Sequence, residues 1–92
     1  MLKVRYTSQF RRDLNLMLKR GADERLFTEV VEKLARDELL PARYRDHRLL
    51  GKYKGFRECH ILPNWILVYK IIQDKSVLEL SRTGTHSDLF GR

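Results

Sequence analysis

The sequence predicts an α+β fold with helices packed on one face of a sheet, and three observations carry that prediction. An alternating apolar and charged stretch opens the chain, two stripes at helical spacing follow, and three extended apolar runs separated by turn residues close it. The order strand, helix, helix, strand, strand, strand fits one domain over residues 1–92, because chains this short rarely divide into two cores. An antiparallel helical hairpin would cover one face of a four-stranded sheet and leave the other face open.

Each element has a local reason. Leu2, Val4 and Tyr6 alternate with Lys3 and Arg5, the pattern of a half-buried strand. Thr7 or Ser8 can then cap a helix by accepting from free backbone amides. Phe10, Leu14, Met17 and Leu18 recur at helical spacing, and Gly21 suits the C-terminal end. Asp23 begins a second helix with the stripe Leu26, Phe27, Val30, Val31 and Leu34. Leu39-Leu40-Pro41 ends it, since proline disfavours helix in the residue before it. The closing strands run roughly 52–61, 65–72 and 77–83, joined by Leu62-Pro63-Asn64 and Gln73-Asp74-Lys75-Ser76 as an antiparallel three-stranded meander.

Composition narrows the function classes. The N-terminus has no signal-peptide core, and no apolar run approaches the roughly 18 residues of a bilayer span, so a soluble cytoplasmic protein is expected with no membrane partner. A single cysteine, Cys59, cannot form an internal disulfide and reads as a small buried strand residue. The net charge of +7 favours an anionic partner, of which nucleic acid is the commonest. The surplus is local. Residues 22–38 are acidic on balance, whereas Arg43, Arg45, Arg48, Lys52, Lys54 and Arg57 face only Asp46, with Tyr44, Tyr53 and Phe56 interleaved. Cations for phosphates beside rings for bases are an RNA-binding mixture.

The three histidines, His47, His60 and His86, all fall in the C-terminal half. Their spacing gives no zinc signature, with no HExxH and no second cysteine, so neither a metal nor another cofactor is expected. Cys59 lies in strand alternation without a nucleophile signature. Metal-free RNA cleavage suits these residue types better. The ribose 2′-hydroxyl attacks the neighbouring phosphorus, the 5′-oxygen leaves, and histidine can move either proton near working pH. Arginine can hold the growing phosphoryl charge, and the closing segment SRTGTHSDLFGR supplies Arg82 beside His86 and Phe90.

Residues 46–71, DHRLLGKYKGFRECHILPNWILVYKI, followed by SRTGTHSDLF, closely resemble the YafQ-type toxins of the RelE/ParE superfamily. The matching motifs are Asp46-His47 with Leu49 and Gly51; Lys54 with Phe56, Arg57 and His60; Pro63-Asn64-Trp65; and Arg82, Gly84, Thr85, His86, Leu89 and Phe90. The N-terminal strand and hairpin also fit, so the resemblance spans nearly the whole chain. It implies a toxin of a type II toxin–antitoxin system, an endoribonuclease that cuts mRNA in the ribosomal A site without metal. It further implies His47, His60, Arg82 and His86 as the catalytic set, within which our own assignment makes His86 the general acid and His60, with His47, the base or base-positioning group. Asn64, Trp65 and Phe90 would meet the substrate, with Lys52, Lys54 and Arg57 along its backbone. Trp65 equally fits a core-facing strand position. The family often carries aspartate before the tryptophan, where this chain has Asn64, which can hold a hydrogen bond but cannot take a proton.

The implied partners are a cognate antitoxin, mRNA and the 70S ribosome, with operator DNA reached through the antitoxin. Two rivals keep the same surface. ParE-type relatives poison DNA gyrase and lack the histidine set, and a plain nucleic-acid-binding module would bind without chemistry.

Overall fold

The computed structural model describes residues 1–91. Strand β1 (Lys3–Tyr6) leads into helices α1 (Ser8–Lys19) and α2 (Glu24–Ala35). After them come the short β2 (His47–Arg48), then β3 (Arg57–Leu62), β4 (Trp65–Ile72), β5 (Val77–Gly84) and the one-turn helix α3 (His86–Phe90). The sheet order is β1-β5-β4-β3-β2, with β1 parallel to β5 and every other pair antiparallel.

Local signals place the helices. Thr7 caps α1 by accepting from the Phe10 amide at 3.0 Å, and its hydroxyl donates to the Ser81 carbonyl at 3.0 Å, which ties the helix start to β5. Asp23 caps α2 through the Arg25 amide. That helix stops at Ala35, before Leu39-Leu40-Pro41. Asp37 adopts a left-handed conformation (φ 60°), so the Glu38 amide reaches the Lys33 carbonyl and the Asp37 amide the Leu34 carbonyl.

The sheet is α+β as expected but has five strands rather than four. The added one is β2, paired through His47 opposite Glu58 and Arg48 opposite Arg57. Extended structure in the next segment begins at Arg57 rather than at residue 52, because Gly51–Tyr53 forms a 3-10 turn. Phe10, Phe27, Val30 and Leu34 pack against Cys59, Trp65, Leu67, Tyr69, Leu78 and Leu80 as the main core. The opposite face is not left open. Ile66, Val68 and Leu89 bury a second, smaller cluster beneath Leu49, Phe56 and Phe90, so residues 49–56 and α3 roof that face. His86 begins α3 in this roof, and His47 and His60 lie on β2 and β3 beside it.

Candidate active site

His47, His60 and His86 come from three elements, and the fold sets them in a row. Ring centroids are 6.5 Å apart for His47 and His60, and 5.6 Å for His60 and His86. Phe90 continues the row at 6.2 Å from His86, and Tyr53 meets Phe90 edge-on at 5.8 Å. Pairing of β2 with β3 puts His47 opposite Glu58, and strand alternation puts Glu58 and His60 on one face.

Glu58 is the hub. Its Oε2 lies 3.3 Å from His47 Nε2 and 3.4 Å from His60 Nε2, and the residue is 6% exposed. His47 turns Nδ1 to the Arg45 carbonyl at 2.7 Å, and His60 turns Nδ1 to the Pro63 carbonyl at 3.3 Å. Both nitrogens of each ring therefore face oxygen atoms, which fixes the orientation of each ring. The loop holding His47 is itself pinned. Asp46 accepts from the Tyr69 hydroxyl and pairs with Arg57 at 3.1 Å. Burial and that bond to Asp46 push the Tyr69 hydroxyl well above its usual range, so it stays a donor.

His86 is placed differently. The Asn64 side-chain oxygen accepts from the His86 backbone amide at 3.3 Å and lies 3.4 Å from His86 Nδ1. Only an oxygen can meet that backbone N–H, so the amide's orientation is fixed and Nδ1 is the donor. Thr85 and Asp88 form a capping box at the start of α3, and Arg20 holds Asp88 at 2.6 Å. The Arg20 bond keeps the Asp88 carboxyl well below the usual range. A side chain at Gly84 (φ 155°) would meet Asp88 Cβ at 3.0 Å, so glycine permits this close approach.

A groove of about 540 Å³ opens beside the row, lined among others by Lys52, Tyr53, Glu58, His86 and Phe90. The remaining residues expected at the site are engaged by other parts of the fold. Arg82 stands opposite Val68 on β5, with its guanidinium on Asp13 of α1 at 2.6 Å. Among the described residues no hydrogen bond or ring contact joins it to a histidine. Lys54 lines a different hollow with Arg48 and Arg57, and Arg57 is occupied by Asp46. Trp65 takes the core-facing place of its two readings. It is 2% exposed in the main core, and its indole N–H donates to Thr83 Oγ1 at 2.9 Å. Glu58, Tyr53 and Asp13 are what sequence reasoning underweighted. The alternation of Glu58 with His60 was the one available signal for the hub.

The family model for the bacterial toxin of type II toxin–antitoxin systems, YafQ, matches residues 2–91. The chain belongs to the YafQ family. The mRNA interferase toxin YafQ of Escherichia coli K12 is 43% identical over 89 residues, covering 96% of this chain and 95% of that protein. The toxin in the Escherichia coli DinJ–YafQ complex superposes with a TM-score of 0.89 at 40% identity, over 99% of this chain and all of that one. A metal-bound toxin from Helicobacter pylori superposes at 0.93 with 42% identity, over 98% of this chain and all of that one. In this YafQ-family chain no group of three or more histidine, cysteine or carboxylate side chains is placed to hold a metal ion among the described residues. His47 and His60 instead direct Nε2 to one Glu58 oxygen. Nor is any described helix long and apolar enough to cross a membrane.

Proposed function

We propose that this toxin is an endoribonuclease that cuts mRNA held in the ribosomal A site, using its histidines as acid and base. The observation that carries this reading is the continuous row His47, His60, His86, Phe90 with Glu58 beneath it, beside an open groove that contains both a proton donor and stacking rings.

In the reaction the 2′-oxygen bonds to phosphorus while the bond from phosphorus to the 5′-oxygen breaks. The proton from the 2′-hydroxyl passes to the His47–Glu58–His60 set, whose members share one Glu58 oxygen. His86, oriented through Nδ1 by Asn64, delivers a proton from Nε2 to the leaving oxygen. The products are a 2′,3′-cyclic phosphate and a 5′-hydroxyl. Asn64 supports this as well as a carboxylate does geometrically, since an amide oxygen accepts both His86 donors. It does not supply negative charge beside the imidazolium. Tyr53 and Phe90 offer faces and edges to a base, and Arg82, oriented by Asp13, supplies charge to the phosphoryl oxygens. Dependence on the ribosome fits chemistry of this kind, because weak acid–base groups require an RNA already held in line.

The relative found as a DinJ–YafQ complex supports a cognate antitoxin for this chain also, through which the pair would reach operator DNA. The test is cleavage of a defined mRNA by the wild type and by His86→Ala, with and without programmed 70S ribosomes. Discrete cuts only with ribosomes, absent for the variant, are expected. Equal cutting by the variant would remove His86 from the chemistry. No cutting by either protein, with supercoiling by DNA gyrase inhibited, would replace this reading with a gyrase poison.

A further inference from the structure

A second hollow, of about 310 Å³, meets the histidine row from another side. Arg43, Tyr44, Arg45, His60 and Pro63 contribute to its wall, and it shares no lining residue with the groove of Tyr53, His86 and Phe90. His60 belongs to one hollow and His86 to the other, with their rings 5.6 Å apart. A strand crossing the reacting centre from one hollow would enter the other.

The charges around the centre are unequal in a way that matters. Arg20, Arg57 and Arg82 each meet a carboxylate, Asp88, Asp46 and Asp13 respectively. Among the described residues Arg43 and Arg45 meet none. The Arg43 guanidinium lies over the Tyr44 ring at 4.6 Å and donates to its hydroxyl at 2.9 Å, so a buried aromatic holds the cation in place while no carboxylate neutralises it. Arg45 has a left-handed backbone (φ 51°), and its carbonyl receives His47 Nδ1. A non-glycine residue in that conformation is held there by its surroundings. The same residue thus orients a histidine of the row and offers an unpaired guanidinium next to it.

We propose that Arg43 and Arg45 form a subsite for a backbone phosphate of the RNA, on the far side of the cut from the nucleotide that stacks on Phe90 and Tyr53. The inference rests on the nuclease reading and adds a direction to it: the strand runs from the aromatic groove across His86 and His60 to the two arginines. An acidic protein segment would meet the same cations. RNA is favoured because His60 forms part of the wall, so an occupant of the hollow touches the reacting centre.

The test uses short mRNAs on programmed ribosomes in which each phosphate flanking the cut is replaced singly by a neutral methylphosphonate. They are cut by the wild type, by Arg43→Gln/Arg45→Gln and by His86→Ala. Glutamine keeps much of the arginine stem and removes the charge, and a melting temperature matching wild type confirms folding. The wild type should lose roughly tenfold in rate below saturation when one particular phosphate is neutralised, the scale of a charged contact. The double variant should start from that reduced rate, ignore neutralisation of that phosphate, and reach a near-wild-type rate at saturation. Its binding should also show a salt dependence shallower by about one in log–log slope, as expected for one phosphate contact. A double variant that stays as sensitive as wild type at every phosphate overturns the subsite. So does one whose RNA kinetics are unchanged while its affinity for the purified cognate antitoxin falls. Cutting by His86→Ala at the wild-type rate would instead remove His86 from the chemistry, and no cutting by the wild type would sink the nuclease reading, each in a separate lane.

Discussion

Replacing Asp13 by asparagine isolates the anchor of Arg82. Asp13 accepts from Arg82 Nε at 2.6 Å and from Nη2 at 3.3 Å, and the same carboxylate takes the Thr83 amide at 3.2 Å. Asparagine keeps the shape and one acceptor oxygen but removes the charge. Charge-assisted bonds contribute about 1.5–3 kcal/mol, and the 30% exposure of the Arg82 side chain places this one toward the lower end, about 2 kcal/mol. In a domain this small that lowers the melting temperature by roughly 10 °C. The effect on rate should be distinct. Loss of a charge-stabilising donor costs about 10²–10³-fold, expected for Arg82→Ala, whereas an unanchored Arg82 should cost only about tenfold. The assay is a double-mutant cycle read by thermal unfolding and by single-turnover cleavage on programmed ribosomes. In the Arg82→Ala background Asp13→Asn should slow cleavage no further. An equal fold loss in both backgrounds would show that Asp13 acts independently of Arg82, and wild-type melting and rate in Asp13→Asn would refute the anchor altogether.

Trp65→Phe should lower stability by about 2 kcal/mol in urea unfolding, through the lost bond to Thr83 and an unfilled volume, without a selective rise in KM. A raised KM with intact stability would return Trp65 to the substrate. The Cys59 thiol, fully buried and pushed by burial well above its ordinary range, should resist alkylation until denaturant is added, as mass spectrometry would show. Asp88 is held below its ordinary value of 3.8, chiefly by the Arg20 bond, so its contribution is complete above that value and lost as pH falls through the lower folded one. The stability gap between wild type and Asp88→Asn should therefore be constant from pH 7 to about 5 and close steadily below 4. A gap that widens in acid would reverse the assignment.

Much of the fold was legible because its signals are local. Thr7 and Asp23 cap helices through amides two or three residues away, and the stripes of both helices name their own buried faces. The fifth strand was not legible, since His47–Arg48 is two residues long and its pairing depends on a partner some ten residues later. The second core was hidden for a similar reason: Leu49, Phe56 and Leu89 join it from separate segments.

By itself the sequence determined the order of the four longer strands and two long helices, the basic surplus, the family and the residue types of the proposed reaction. Only the tertiary structure decided which of those residues meet. Three histidines spread over 40 positions converge because β2 pairs with β3 and the β3–β4 turn brings Asn64 beneath α3. Arg57 and Arg82 read as cations for RNA in the sequence, yet each rests on a carboxylate that folding brings from a distant position. Whether a charge is answered is a property of distances in space, and those are set by packing rather than by spacing along the chain.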